Sequence, residues 1–422
     1  MQWRIPFIAG FVALTAFSLA GCSHESEFKN IVGAADPKLA KEPVPPNLVA
    51  ANTRFAFKLF RELAAQDVGK NLFISPASVS LALTMTYNGA DGTTRTAMAD
   101  ALELGGMSLE EVNQANLVLL SNLAFGDEKV KLAIANSLWG RKDVRFNDGF
   151  LERNRRFFGA EVASLDFADP GALATINGWV SDHTNGKIKD ILDRIPSDAI
   201  LYLINAIYFK GTWTTEFDKS KTVDAPFTLL NGSRKTMPMM RQSGKYAYYR
   251  GDSFQAVSLP YGDEGRFSMY LFLPDANSSL AAFQESLSAE NWERWMAGFH
   301  PMDGDIALPR FKVEYKTEMK DALIALGMGI AFSEDADFSE MFPPDAMRRA
   351  FISRVIHQSF VEVNEEGTEA AAATVVEITE TAIPERFSMT IDRPFFCAIR
   401  DNTSGTVLFM GSIVDPQPPG SN

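Results

Sequence analysis

Cysteine is nearly absent: Cys22 and Cys397 are the only two in 422 residues, and if Cys22 is used elsewhere no disulfide framework can organise the fold. Cys397 sits in the apolar run Pro394-Phe395-Phe396-Cys397-Ala398-Ile399, where a free thiol behaves as a small buried hydrophobe. Histidine is as scarce. His24, His183, His300 and His357 are scattered without ligand spacing, so neither a metal nor another cofactor is expected. Basic runs stop at the pairs Arg155-Arg156 and Arg348-Arg349 in a chain of net charge −13, which argues against nucleic acid and polyanionic polysaccharides as partners. Gly-x-Ser-x-Gly, His-Glu-x-x-His and a phosphate-binding glycine loop are all missing, so an enzyme is not expected. No internal repeat and no long Pro, Gly or Ser linker interrupts residues 47 to 415, and one large mixed α+β domain is preferred over two.

What is there begins with an address. Arg4 precedes an apolar stretch from Ile5 to Ala20, shorter than the roughly 20 residues a bilayer-spanning helix needs, which fits the core of a signal peptide over residues 1–21. It ends in Leu19-Ala20-Gly21-Cys22, which is similar to the lipobox of bacterial lipoproteins, where Cys22 becomes the acylated N-terminus. The other reading is an ordinary signal peptide with an incidental cysteine. Residues 22–46, dotted with Pro37, Pro43, Pro45 and Pro46, then read as a flexible lipidated tether. Ser23 rather than Asp after the cysteine points to the outer membrane or cell surface.

The folded part should start at residue 47 and run to 416, followed by a short tail over 417–422. Asn47 is a candidate cap for a helix whose Leu48, Phe55, Leu59 and Leu63 share one face. Ser75-Pro76 should open a second helix, apolar nearly all round and hence buried, that stops near Gly89 and Gly92. Strand-like runs cover Leu201 to Phe209, Phe267 to Leu273 and Ile306 to Tyr315. Phe395 to Ile399 and Thr406 to Val414 flank Asp401-Asn402-Thr403-Ser404-Gly405 as a hairpin.

The most informative segment is 359–394. It opens as a strand, Ser359-Phe360-Val361-Glu362-Val363, and passes through Glu365-Glu366-Gly367-Thr368-Glu369 into four alanines, Ala370 to Ala373. Alanine among glutamates suggests an exposed helix, yet Thr374, Val375, Val376, Ile378 and Thr379 prefer extended backbone. Read alone, the stretch can be loop, helix or strand. Gly367-Thr368-Glu369-Ala370-Ala371-Ala372-Ala373-Thr374, a short distance before the end of the chain, resembles the hinge of the reactive-centre loop of serpins, a family of serine protease inhibitors. Asn71-Leu72-Phe73-Ile74-Ser75-Pro76, Leu203 to Trp213, Ala336-Asp337-Phe338-Ser339, Val355-Ile356-His357, Arg393-Pro394-Phe395 and Leu408-Phe409-Met410-Gly411 resemble further family blocks in order.

The resemblance implies the serpin fold: a central, mainly antiparallel sheet, further sheets, about eight or nine helices, and a reactive-centre loop at about 365–393. It implies a monomer that traps target serine proteases, or cysteine proteases, in a covalent one-to-one complex as the cleaved loop inserts into the sheet. Its hinge corresponds to Glu365, Gly367, Thr368, Glu369, Ala370, Ala371, Ala372 and Ala373. Its shutter corresponds to Ser75, Ser78, Asn205 and His357, and the residue packed where the loop first enters is Trp213. The reactive bond falls at Thr381-Ala382, with Glu380 and Ile383 as rivals, and favours elastase-like or subtilisin-like enzymes. Alternation along an inserting strand puts Thr368, Ala370, Ala372, Thr374 and Val376 on one face, all small or uncharged. No proline interrupts 367 to 383. A non-inhibitory serpin acting as a binding or chaperone-like surface lipoprotein is the rival reading.

Overall fold

The computed structural model describes residues 35–125, 127, 129–346, 348–368 and 385–419. Among these the helices are α1 (Pro46–Gln66), α2 (Pro76–Tyr87), α3 (Gly92–Ala101), α4 (Leu109–Ala124), α5 (Asp148–Phe158), α6 (Gly171–His183), α7 (Leu280–Ser286), α8 (Ala289–Gly298) and α9 (Lys320–Leu323). The strands are β1 (Leu72–Ile74), β2 (Val130–Arg141), β3 (Glu161–Leu165), β4 (Leu201–Thr212), β5 (Val223–Thr228), β6 (Arg234–Arg250), β7 (Phe254–Tyr261) and β8 (Phe267–Pro274). They continue with β9 (His300–Pro309), β10 (Phe311–Glu318), β11 (Ile356–Val363), β12 (Gly367–Thr368), β13 (Arg386–Thr390), β14 (Phe395–Asp401) and β15 (Val407–Ile413). The chain forms the expected α+β class, and the described residues hold nine α-helices where about eight or nine were expected.

Three sheets organise these strands. The largest runs β1-β15-β14-β8-β7-β6-β9-β13, with β5 added on β6, and carries the main core. Its β8 and β15 are buried along their whole length, as continuous apolar runs between packed layers should be. The second is β12-β4-β2-β3 and the third is the pair β10-β11. Along β4 the side chains alternate as a pleated strand requires. Ile204 and Ala206 join a separate apolar cluster with Trp179 and Val180 of α6, whereas Ile207 and Phe209 join the main core. The second sheet is therefore packed on both faces, with α6 outside and α2 inside.

Local chemistry accounts for the helices nearest the site. Ser75 caps α2 by accepting from the Ser78 amide, and Pro76 occupies the first turn, as its fixed φ allows. In α1 the expectation needs correction. The helix starts at Pro46, and Asn47 lies inside its first turn, accepting only from the Leu48 amide. The four predicted core residues of α1 are buried. The run Ile306 to Tyr315 is likewise two strands, broken at Arg310, whose side chain leaves both ladders to meet Glu365.

The flexible tether also needs correction at its far end. Residues 35–45 dock along α4, with a short 3-10 turn at Leu39–Lys41 and Val44 buried. The Ser121 hydroxyl accepts from the Asp36 amide, and the Asn122 side chain donates to the carbonyls of Leu39 and Glu42. Residues from Ala35 on, a dozen before position 47, are thus part of the packed fold. The polar residues that receive this arm, Ser121 and Asn122, are neighbours near the end of α4 and read in the sequence only as ordinary helix polarity.

Candidate functional site

β4 and β11 are neighbours that do not share a ladder: β4 pairs with β2 and β11 with β10, in different sheets. Between them lies a seam. At its upper end sits β12, just two residues long, with Gly367 opposite Thr212 and Thr368 opposite Gly211 in antiparallel register on β4. Lower down the seam holds a cavity of about 400 Å³, lined by residues of α2, β4 and β11 and by the chain after α6. A strand thus begins at one end of the gap, and a void lies further along it.

Glycine is required at 367 for two reasons. Its φ is +143°, in a region that L side chains rarely adopt. An added Cβ would also lie 2.1 Å from the Gly211 carbonyl oxygen, a backbone atom that cannot move aside. Thr368 then enters fully, 4% exposed, and its hydroxyl meets the Tyr261 hydroxyl at 3.0 Å. Burial pushes the Tyr261 phenol well above its usual pKa, so the group stays protonated and available as a donor. Tyr261 in turn stacks on Trp213 at 4.3 Å between centroids. Trp213 is buried; its indole N–H donates to the Asn364 carbonyl and its amide to the Glu366 carbonyl. The entry tryptophan expected from the resemblance is thus in direct contact with the hinge.

Glu365, 2% exposed, is the electrostatic anchor of this end. The Arg310 guanidinium donates to Glu365 Oε1 from Nε at 2.8 Å and from Nη2 at 2.5 Å. The Thr222 hydroxyl donates to the same oxygen, and the Phe217 amide donates to the Glu365 carbonyl. Burial alone would raise the Glu365 carboxyl, but the hydrogen bonds from Arg310 and Thr222 outweigh it and hold the group below the usual carboxylate value. Beside it, Lys219 pairs with Glu366.

Of the four residues expected in the shutter, Ser78, Asn205 and His357 line the cavity while Ser75 lies behind them, and the four do not form one network. The ring Nε2 of His357 accepts from the Ser75 amide at 3.1 Å, and the Ser75 hydroxyl donates to the Leu408 carbonyl at 2.7 Å. Burial lowers the His357 pKa from 6.5 to about 4, so the ring is neutral at physiological pH. Asn205 stands apart: its Nδ2 donates to Asn136 Oδ1 at 2.7 Å, while Asn136 donates to the Phe158 carbonyl. Its Oδ1 is buried without a hydrogen-bond partner. Ser78 reaches the group through its amide, which donates to Ser75 Oγ.

Glu369, Ala370, Ala371, Ala372, Ala373, Thr381, Ala382 and Cys22 lie outside the described residues. Arg310, Thr222, Tyr261 and Asn136 belong to the site and were not singled out from the sequence. The last two carried weak signals, an aromatic ending a strand-like run and an asparagine within one. Arg310 and Thr222 had none, being 55 and 143 positions from Glu365. Among the described residues no helix is long and apolar enough to cross a membrane, and no group of acidic, histidine or cysteine side chains could hold a metal ion. Cys397 is a buried free thiol, pushed up to about 12 by that burial.

Comparison with known proteins bears on the same region. The family described as Serpin (serine protease inhibitor) matches residues 50–416. The chain is 38% identical over 382 residues to the leukocyte elastase inhibitor of Homo sapiens, spanning 87% of this chain and 99% of that one. It is 37% identical over 395 residues to Serpin-ZXA of Oryza sativa subsp. japonica, covering 87% and 97%. Among solved structures, the native state of the thermophilic serpin tengpin superposes with a TM-score of 0.79 at 33% identity, covering 87% of this chain and 94% of that one. Human thyroxine-binding globulin complexed with thyroxine gives 0.78 at 28% identity, covering 88% of this chain and 98% of that one. With that family model covering residues 50–416 and relatives 37–38% identical over nearly their whole length, this chain belongs to the serpin family.

Proposed function

We propose that this protein inhibits serine endopeptidases as a suicide substrate, offering residues 365–393 as a loop and drawing the cleaved loop into the seam between β4 and β11. One observation carries the reading: Gly367 and Thr368 already occupy the top of that seam as β12. The residues that would follow on the inward face, Ala370, Ala372, Thr374 and Val376, are small or uncharged and can be buried without an ionic penalty. If ten to fifteen residues each gain about 1 kcal/mol of net hydrogen bonding, insertion releases on the order of 10 kcal/mol.

In the reaction, the protease serine Oγ bonds to the carbonyl carbon of Thr381 and the Thr381-Ala382 peptide bond breaks, the new amine of Ala382 taking the proton. Insertion then carries the acyl-enzyme away before water reaches the ester, with the oxyanion hole pulled out of shape. The small, uncharged Thr381-Ala382 bond suits elastase-like or subtilisin-like pockets, and a relative carrying the name leukocyte elastase inhibitor supports that choice. No Arg or Lys lies between 369 and 385, so trypsin-like enzymes, whose pocket carries a carboxylate, are poor targets. The likeness of Leu19 to Cys22 to a lipobox supports an acyl anchor on a bacterial membrane, from which the protein would act as a shield against exogenous proteases.

The test mixes residues 35–422 with elastase, subtilisin, chymotrypsin and trypsin and reads denaturing gels and mass spectra. A covalent adduct with a released peptide beginning at Ala382 is expected with the first two enzymes. Cleavage without adduct across the panel would defeat the inhibitory reading in favour of a binding serpin. Partition of the full-length chain into the aqueous phase of a detergent separation would defeat the anchor.

A further inference from the structure

Between Thr368 and Glu380 the sequence has just two charged residues, Glu369 and Glu377. The described frame fixes where each would land if the loop extended β12 down the seam, because β12 is bracketed by two ladders. On one side Thr368 lies opposite Gly211 of β4. Continued, that register puts 369 opposite Lys210 and 377 opposite Tyr202. On the other side Asn364 and Gly367 exchange backbone hydrogen bonds around the two-residue turn Glu365-Glu366, a hairpin that sets the loop antiparallel to β11. That register, continued in turn, puts 377 opposite Arg354.

The faces agree. Thr368 points into the main core, where its hydroxyl meets Tyr261, so 369 and 377 point to the opposite face, the one covered by α6. Lys210 alternates in step with Ile204 and Ala206, which pack against α6, and so shares that face. The Arg354 guanidinium is on it too, donating to Asp193 of the chain after α6. Tyr202 and Arg354 line the same cavity, and the Arg354 charge acts on the Tyr202 phenol, countering part of the rise that burial imposes. Two separate ladders thus place one loop carboxylate between Tyr202 and Arg354.

Both cations can accept a partner. Lys210 is half-buried, makes no ion pair among the described residues, and stands opposite Lys131 of β2, a like-charge pair that a carboxylate would relieve. Glu362 would flank Glu369 on the other side, itself opposite Lys312 of β10. Arg354 uses Nη1 on Asp193 at 3.0 Å and Nε on Glu318 at 3.2 Å, which leaves Nη2 to donate.

We propose that Lys210 and Arg354 are positioning residues for the inserting loop, Lys210 receiving Glu369 as insertion starts and Arg354 receiving Glu377 about 27 Å further down the seam. This rests on the inhibitory reading above. Both ion pairs form only after cleavage, so they favour insertion in its race with hydrolysis and leave the uncleaved protein unaffected.

The test is a charge swap in the full chain: Lys210→Glu, Glu369→Lys and the double variant, with Glu377→Lys and Glu377→Gln beside them. The readout is the ratio of cleaved inhibitor to covalent adduct with a protease that forms one. Lys210→Glu and Glu369→Lys each set like charges opposite one another and should raise that ratio at least threefold, whereas the double variant should return to within twofold of the parent. Glu377→Lys, which meets Arg354, should also raise it at least threefold, and Glu377→Gln by less. The heat stability of protein nicked in the loop gives a second reading that needs no adduct: the 210–369 swap should show coupling in the nicked form and none in the uncleaved form. A double variant no better than the worse single one, an unchanged ratio in Glu377→Lys, or equal coupling before and after nicking would overturn the proposal. Nicked parent protein no more heat-stable than uncleaved would instead remove insertion itself, and the receiving role with it; a gain on nicking without coupling removes the receiving role alone.

Discussion

Removing the carboxylate at the top of the seam tests how the hinge is held. In Glu365→Gln the two contacts from Arg310, at 2.8 and 2.5 Å, lose their charged acceptor, as does the Thr222 hydroxyl. Charge-assisted bonds to a buried group contribute about 1.5–3 kcal/mol, and Arg310 is one-third exposed and can be partly resolvated. The expected loss is therefore on the order of 2 kcal/mol, near the middle of that range. The perturbation should be dissected with Glu365→Gln, Arg310→Met and the double variant, comparing urea midpoints by tryptophan fluorescence. A coupling energy of about 1.5 kcal/mol or more between the two positions is expected. Because Glu365 immediately precedes the two residues of β12, the single variants should also lose their native state faster on prolonged incubation at 37 °C. Additive effects, with coupling below about 0.5 kcal/mol, would show that the pair is a bystander.

Other substitutions read other parts of the device. Gly367→Ala meets both a positive φ and the Gly211 carbonyl, so it should destabilise the hinge by more than about 2 kcal/mol and abolish covalent trapping, as urea midpoints and adduct gels would show. Thr368→Arg would place a charge in a site 4% exposed, so cleavage of the loop should continue while the adduct disappears; persistence of the adduct would contradict the insertion register. His357 gives a pH signature. Its folded pKa, about 4, lies below the unfolded 6.5, so the unfolded chain takes up the proton first as pH falls. Stability should drop progressively between pH 6.5 and pH 4, by about 3 kcal/mol in all. Subtracting the profile of His357→Gln, measured by urea midpoints at pH 7, 6, 5 and 4, should isolate this slope, and parallel profiles would refute it.

The local parts of this site were legible because their chemistry is sequential. Ser75-Pro76 is a cap and a first turn in neighbouring residues, and Gly367-Thr368 followed by alanines can be read as a strand awaiting a place. Contacts that close the site are of another kind. Arg310 interrupts an alternating run and so read as one more exposed charge on a single strand, when it is the break between β9 and β10. Thr222 and Tyr261 reach the hinge only after β4 to β7 have been laid down. Asn205 was expected with His357, yet the two are held by different neighbours, because β4 and β11 belong to separate sheets. Nothing in the alternation along either strand reveals that the space between them is empty of a ladder.

The arm that runs along α4 sets a length. If Cys22 carries the lipid, as proposed above, only thirteen peptide steps separate it from Ala35, and a chain of that length can reach at most about 45 Å. Had the tether continued to residue 46, the leash would have been nearly twice as long. On the proposed anchor, docking the arm shortens the greatest reach, so the protein would stay in a thin shell above the bilayer rather than sweep the medium beyond it. Proteases attacking at that surface are the ones it could meet.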